Sequence, residues 1–212
     1  MVDICPTITA ADVRTYQVQI DQVAGFATRL HIDLSDGEFT PNKLLGLEYV
    51  WWPGGIQADI HIMYRRPFEQ MELLLGLHPQ LVIVHAESEG DFIGTSEILH
   101  QHGIEVGVAL LPETTVETIT PSLEHIDHVL IFSGNIGYFG GNADLKLLEK
   151  VKKLKILKPQ LEIGWDGGVN DKNAAAIVAA GVEVLDAGGY IHGASNPEEA
   201  YRKLKLITES AA

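Results

Sequence analysis

Short apolar runs alternate with longer amphipathic stretches along almost the whole chain. The apolar runs are four to six residues long and rich in valine, isoleucine and leucine, which is typical of buried strands. The alternation predicts an α/β fold with a parallel sheet, because parallel strands need helical crossovers between them. Eight such runs can be counted, at residues 3–8, 30–33, 58–63, 81–86, 105–110, 128–132, 162–166 and 182–187.

The number of units decides between two α/β architectures. Eight strand–helix units in 212 residues favour a (β/α)₈ TIM barrel that forms a single domain over residues 1–212. A doubly wound open sheet is the alternative, since one sequence does not show whether the sheet closes.

Predicted helices begin at residues whose side chains can cap them. The unit after the second strand is an exception, because residues 42–57 leave room for only about two helical turns. We expect a truncated or irregular helix there. The capping residues are Asn142 for a helix over 143–157, Asp171 for a helix that stops at Gly181, and Asn196 for the last helix.

The excess of acidic residues argues against some classes of binding partner. With 29 acidic and 15 basic residues the net charge is -14, which would repel nucleic acid and anionic membranes. No apolar run is long enough to span a bilayer. A lone cysteine, Cys5, and an N-terminus without a signal-peptide pattern predict a cytoplasmic protein without disulfides. An anionic substrate would need a local cradle of amides, helix ends or a metal ion.

Polar side chains stand at the carboxyl ends of several predicted strands, where the active sites of TIM barrels lie. His31 and Asp33 are two residues apart and therefore share one face of their strand, and His61 and Met63 repeat this spacing. Asp166 ends the seventh predicted strand. Two imidazoles and two carboxylates at one barrel mouth predict a site for one divalent metal ion such as Zn²⁺, Mn²⁺, Fe²⁺ or Co²⁺.

Each of these residues also has a structural explanation when it is taken alone. A strand-end histidine such as His61 is often only a hydrogen-bonded structural residue, and His85 is assigned that role here. Asp33 lies just before a Ser-Asp-Gly sequence and could shape a turn. Position alone leaves both explanations open.

Six motifs follow one another along the chain: HIDLSDGEFTPN at residues 31–42, DIHIM at 59–63, GVALLPET at 107–114, NIGYFGG at 135–141, DGGV at 166–169 and AGGYIHG at 187–193. In this order they closely resemble the motifs of the ribulose-phosphate 3-epimerase family. Together with the segment from Pro6 to Asp12, they cover essentially the whole chain, and six ordered motifs are far more specific than one.

The resemblance implies a metal site and a two-aspartate mechanism. His31, Asp33, His61 and Asp166 all carry the family's residues and are implied to bind the metal ion. Asp33 and Asp166 are further implied to face opposite sides of the carbon beside the ketose carbonyl, one removing a proton and the other returning one. A metal ion suits this chemistry as a Lewis acid that stabilises the enediolate between the two transfers.

Three glycine pairs are implied to bind substrate and phosphate. Backbone N–H groups are open to an anion where no β-carbon intervenes, and a short helical turn after the last pair would point its positive end at the phosphate. Without the family context, such pairs could equally serve tight turns or a loose loop. The pairs are Gly167 with Gly168, Gly188 with Gly189 and, in a sixth loop suited to act as a lid, Gly140 with Gly141.

Several positions around the predicted site depart from the family's pattern. The family usually packs methionines over the reacting carbon, and only Met63 keeps the thioether. In the sixth loop Ile136 replaces a proline, and an extra residue is placed at Tyr138. These changes predict altered specificity or rate rather than lost chemistry. The other substituted pocket positions are Ala10 for serine, and Ser35 and Phe132 for methionines.

The implied activity is inversion of C3 in a phosphorylated ketose, with D-ribulose 5-phosphate and D-xylulose 5-phosphate of the pentose phosphate pathway as the first expectation. A hexulose-phosphate 3-epimerase of the allulose 6-phosphate type is the alternative within the same chemistry. A non-catalytic sugar-phosphate-binding homologue and a purely structural subunit are the alternatives outside it. Members of the family form oligomers, so the resemblance predicts a homo-oligomer. Trp51 and Trp52 could lie at its interface or could close the bottom of the core.

Overall fold

The computed structural model of the chain describes residues 2–134, 136 and 140–211, and within them nine parallel strands form one sheet. The strands occupy all eight predicted strand regions. They are β1 Asp3–Cys5, β2 Thr7–Thr9, β3 Arg29–Ser35, β4 Gln57–Met63, β5 Leu81–His85, β6 Glu105–Leu110, β7 His128–Phe132, β8 Glu162–Asp166 and β9 Val184–Asp186.

The first predicted strand is divided in two, and this division joins the ends of the sheet. β1 pairs with β9, whereas β2 pairs with β3. Between them lies Pro6, which has no N–H to donate to a ladder, while its carbonyl oxygen still accepts from the N–H of His31 at 3.2 Å. The two end strands of the sheet, β1 and β2, are consecutive parts of one segment, so the sheet closes on itself. The TIM-barrel prediction is therefore confirmed, and the open-sheet alternative is not.

Seven α-helices lie between or after the strands in the described part of the chain. The connection from β3 to β4 holds only a 3₁₀ turn, Leu47–Tyr49, so the prediction of an irregular second helix is confirmed. Among the described residues, no helix has the length and hydropathy required to cross a membrane. The helices are α1 Val13–Val23, α2 Met71–Leu77, α3 Phe92–Gln101, α4 Leu148–Leu157, α5 Ala174–Ala179, α6 Gly189–His192 and α7 Pro197–Glu209.

One of the three predicted helix caps is confirmed. The Asn196 side chain accepts from the N–H of Glu199 and so caps α7. The prediction for Asp171 is wrong, because α5 begins only at Ala174 and the Asp171 carboxylate instead pairs with Lys203 of α7.

The cap predicted at Asn142 is also wrong. The Ser133 hydroxyl accepts from the N–H of Asp144 at 2.7 Å and ties this segment to the end of β7. The Asp144 carboxylate then caps a 3₁₀ turn, Leu145–Leu147, and α4 follows at Leu148. The helix therefore starts later than the pattern predicted.

An ion cluster around the buried Arg29 lies at the amino-terminal end of the barrel. The Arg29 residue is only 5% exposed and binds Asp59 through Nε at 2.8 Å. Its two terminal nitrogens donate to the two carboxylate oxygens of Glu162 at 3.1 and 3.0 Å, and one of them also reaches Asp3 at 3.3 Å. The cluster links β1, β3, β4 and β8 across the inside of the barrel, below the candidate site.

Candidate active site

Four predicted metal ligands come together at the carboxyl ends of three strands. β3 carries His31 and Asp33, β4 carries His61 and β8 ends at Asp166. One nitrogen or oxygen atom of each lies within 4.8 Å of the others. The register explains part of this, because Asp33 and His61 are direct partners across the β3–β4 ladder and therefore point to the same face.

The donor atoms have the spacing of ligands around a small cation. His31 Nε2 lies 3.2 Å from both His61 Nδ1 and Asp33 Oδ1, and the latter two atoms lie 2.9 Å apart. Ligand bonds of roughly 2.0–2.2 Å place neighbouring donors roughly 3 Å from one another. Two buried histidines, the buried carboxylate of Asp33 and the half-buried carboxylate of Asp166 therefore fit a divalent ion of the zinc, manganese, iron or cobalt type.

Two further side chains hold these donors from behind. The Thr9 hydroxyl donates to Asp33 Oδ2 at 2.7 Å, leaving Oδ1 to face the histidines. His61 Nε2 lies 2.9 Å from Nε2 of His85, and His85 Nδ1 lies 3.7 Å from a Glu87 carboxylate oxygen. His85 thus has a structural role, as expected, but that role is at the site itself.

Burial and neighbouring charges move the pKa values of the site apart. Burial raises the pKa of Asp166 to about 7, with a further contribution from the charge of Asp33. Burial acts in the same direction on Asp33, but hydrogen bonds with His31 and His61 outweigh it and lower its pKa. Burial lowers the pKa of His61 to about 4. Burial also acts to lower the pKa of His31, but Asp186 and Asp33 outweigh it and raise that pKa to about 10. Neighbouring groups therefore favour the ionised forms of Asp33 and His31, whereas burial favours the neutral forms of Asp166 and His61.

A cavity opens above these donors at the barrel mouth. Asp33 and Asp166 form part of its floor, and Met63 and Phe132 form part of its wall. Its remaining lining includes all six predicted glycines, Gly140, Gly141, Gly167, Gly168, Gly188 and Gly189.

Two of the positions where the sequence departs from the family pattern lie elsewhere among the described residues. Ala10 and Ser35 are buried and are absent from the described lining of the cavity. The Ser35 hydroxyl is instead within 2.7 Å of the Thr40 hydroxyl. The extra residue placed at Tyr138 lies outside the described residues, as do Asn135, Gly137 and Phe139 of the same motif.

Sequence reasoning missed two residues that the structure brings to the site. Thr9 lies opposite Asp33 in the β2–β3 ladder, and Asp186 lies opposite Asp166 in the β8–β9 ladder. Asp186 ends its strand as Asp166 does, so the strand-end criterion could have found it. Thr9 carried no comparable signal, because threonine is common in strands.

Comparison with known proteins identifies the family to which the chain belongs. The family model described as "Ribulose-phosphate 3 epimerase family" matches residues 3–192, which include the whole sheet and all four clustered donors. The chain belongs to the ribulose-phosphate 3-epimerase family. It is therefore an enzyme of the isomerase class, as the sequence motifs implied.

Curated relatives match over nearly their full length. A ribulose-phosphate 3-epimerase of Helicobacter pylori is 34% identical, with 99% of each chain covered. One of Bacillus subtilis is 30% identical, covering 97% of this chain and 99% of the relative. Among solved structures, a 3-keto-L-gulonate-6-phosphate decarboxylase from Vibrio cholerae superposes with a TM-score of 0.74 at 12% identity, over 100% of this chain and 99% of the other. That likeness concerns the fold alone.

Proposed function

We propose that the enzyme inverts C3 of a phosphorylated ketose, with D-ribulose 5-phosphate and D-xylulose 5-phosphate as its substrate pair. The observation that carries this proposal is the pair of carboxylates, Asp33 and Asp166, at one cavity beside two buried imidazoles. Family membership supplies the class of reaction, and the donor spacing supports the metal dependence.

His31, Asp33, His61 and Asp166 would hold the ion. Bound there, it would supply positive charge next to the substrate's carbonyl and hydroxyl oxygens, which lowers the cost of an enediolate. The fit rests on three donor atoms 2.9 to 3.2 Å apart that share a buried position.

The two aspartates would move the proton. Asp33 comes from β3 and Asp166 from β8, so the carboxylates approach the cavity from separate strands. One removes the proton of C3, and the other returns a proton to the opposite face, which inverts the carbon. The Thr9 hydroxyl fixes the Asp33 carboxylate for this role through its 2.7 Å hydrogen bond.

Backbone amides would bind the phosphate. The chain is strongly acidic, and no lysine or arginine is among the described residues that line the cavity. Gly167, Gly168, Gly188 and Gly189 do line it, and the expected short helix begins at Gly189. Amides without neighbouring β-carbons let an anion approach closely.

Alanine at Gly168 is expected to raise the KM for a sugar phosphate by about tenfold or more. The residue has a φ of +70°, and a β-carbon there would lie 2.6 Å from the carbonyl carbon of Asn142. The two backbone segments would have to separate, at a cost of about 1–3 kcal/mol. Steady-state kinetics of Gly168→Ala measure the effect. Gly54→Ala is the control, since its β-carbon would meet nothing within 4 Å, and a KM equal to that of the control would refute the cradle.

A hexulose phosphate is the second candidate substrate. Phe132 lines the cavity at a position where the sequence resemblance implies a methionine, so the wall over the sugar differs from the family's pattern. A changed wall favours changed specificity because the acid–base pair is complete.

Removal of the metal is expected to lower epimerase activity by about 100-fold or more, since Lewis-acid stabilisation contributes several kcal/mol. The protein would be stripped with a chelator, reloaded with Zn²⁺, Mn²⁺, Fe²⁺ or Co²⁺, and assayed with ribulose 5-phosphate and allulose 6-phosphate in parallel. Activity that survives in protein shown to be metal-free would overturn the metal site. Binding of both sugars without turnover would support the non-catalytic alternative.

We also propose that residues 1–212 act as one cytoplasmic domain that forms homo-oligomers. The continuous sheet from Asp3 to Asp186 supports one domain. Cys5 is free and buried, which suits a reducing compartment. Trp51 is 38% exposed, and its carbonyl oxygen is held by the Tyr16 hydroxyl, so it stays a candidate for an interface.

A further inference from the structure

The last strand ends in a buried carboxylate that the proposed acid–base chemistry does not use. Asp186 is 2% exposed and is among the residues that line the cavity at the barrel mouth. Its register partners are Asp166 on one side and Cys5 on the other. Burying a carboxylate costs free energy unless it is well paired, so its presence here calls for a physical reason.

Among the described residues, Asp186 makes an ion-pair contact with His31. Asp186 Oδ2 lies 3.2 Å from His31 Nδ1, and the His31 ring is fully buried. Neither carboxylate oxygen has a hydrogen-bond partner of good geometry among the residues that the structure describes. Asp186 is also outside the group of four donors that lie within 4.8 Å of one another. It is therefore placed behind a proposed ligand and not among the ligands.

The two nitrogens of His31 face different groups. Nε2 lies 3.2 Å from both Asp33 Oδ1 and His61 Nδ1, at the centre of the donor set. A metal ion at that centre takes the lone pair of Nε2, so the ring proton must lie on Nδ1. Nδ1 is the nitrogen that faces Asp186. A carboxylate in this position fixes the tautomer and the ring orientation and increases the basicity of the ligating nitrogen.

We propose that Asp186 is a positioning residue for the metal site, which holds the Nδ1 proton of His31 and thereby strengthens metal binding through Nε2. This inference rests on the metal site of the proposed function. It adds a carboxylate behind the ligands, on a strand that supplies none of them.

Replacement of Asp186 tests this inference through metal affinity. Asp186→Val removes the acceptor and is expected to weaken Zn²⁺ or Co²⁺ binding by 10- to 100-fold, measured by competition with a chromogenic chelator. Asp186→Asn keeps an acceptor oxygen without the charge and is expected to give a smaller loss. The loss in Asp186→Asn reports the effect of the charge, and the further loss in Asp186→Val reports the effect of the hydrogen-bond acceptor.

NMR spectroscopy of the Zn²⁺-loaded protein observes the Nδ1 proton of His31 itself. A purely structural role of Asp186 would leave the resonance of this proton unchanged. In ¹⁵N-histidine-labelled, Zn²⁺-loaded wild-type protein, His31 is expected to show a proton on Nδ1 at strongly low field. That resonance should move upfield in Asp186→Asn and in Asp186→Val.

Asp59→Asn is the matched control. Asp59 is as buried as Asp186, at 1% exposure, but its carboxylate binds Arg29 and not a proposed ligand. Its metal affinity per folded molecule is expected to stay within about threefold of the wild type, below the outer-contact effect. Wild-type affinity in both Asp186 variants would overturn the inference and leave the metal site intact. Failure of the wild-type protein to bind any of the ions would instead overturn the proposed function.

Discussion

Asparagine at Asp33 or at Asp166 is expected to lower kcat for epimerisation by about 10²- to 10⁴-fold, the usual contribution of a positioned acid or base. Inversion needs both groups, because one carboxylate takes the proton from one face of C3 and the other delivers a proton to the opposite face. Asparagine keeps the shape of the side chain and one oxygen but cannot carry the proton. Steady-state assays with the metal-loaded variants measure the loss.

Solvent exchange distinguishes this mechanism from simple loss of the metal. A variant that lacks one aspartate retains the other, which still faces one epimer. Each variant is therefore expected to exchange C3 hydrogen with solvent in one epimer only, without inversion, and the two variants should differ in which epimer exchanges. Metal content measured on the same samples is the control. A loaded variant with more than about a tenth of wild-type kcat would contradict the assignment.

Methionine at Arg29 is expected to lower the free energy of unfolding by about 3–5 kcal/mol, because it leaves the buried carboxylate of Asp59 and the half-buried carboxylate of Glu162 without their counter-charge. Asp59 is 1% exposed and takes the Nε hydrogen bond of Arg29. Glu162 takes two more from the same guanidinium and also contacts His128 at 2.7 Å. Urea unfolding of Arg29→Met at neutral pH measures the loss.

Arg65→Met is the matched control for the Arg29 variant. Arg65 makes a 2.8 Å ion pair with Glu89, but the two side chains are 56% and 53% exposed. Solvent-exposed pairs contribute about 0–1 kcal/mol, so this variant should be nearly as stable as the wild type. Addition of Asp59→Leu to Arg29→Met should recover part of the stability by removing an unpaired charge. Equal stabilities of the two single variants would contradict the account of the cluster.

Much of the fold could be predicted because buried parallel strands have short, continuously apolar sequences. All eight strand regions were located from that pattern, and closure followed from their number. The break at Pro6 is a local consequence of a residue without an N–H, and the apolar run continues through it. Capping was harder to predict, since Asn142 and Asp171 are suitable caps by residue type. Contacts distant in sequence, such as Ser133 with Asp144 and Asp171 with Lys203, determine where the helices begin.

The ligands of the candidate site could be predicted from the sequence, whereas the contacts that support them could not. His31, Asp33, His61 and Asp166 could be nominated because strand-end polar residues and family motifs both indicate them. Their supporting contacts depend on which strands are neighbours. Asp186 approaches His31 because the strand order places β9 beside β1, which continues through Pro6 into the neighbour of β3. That adjacency follows from barrel closure, which periodicity along the chain does not show.

Deuterium incorporation at C3 is a direct test of proton transfer by Asp33 and Asp166. The metal-loaded protein would be incubated with ribulose 5-phosphate in D₂O and followed by proton NMR, with allulose 6-phosphate in a parallel tube. We expect that a ketose phosphate loses its C3 proton signal while its 3-epimer appears with deuterium at C3. Epimer formed with its C3 proton retained, or no exchange from either sugar, would contradict proton transfer by the two aspartates.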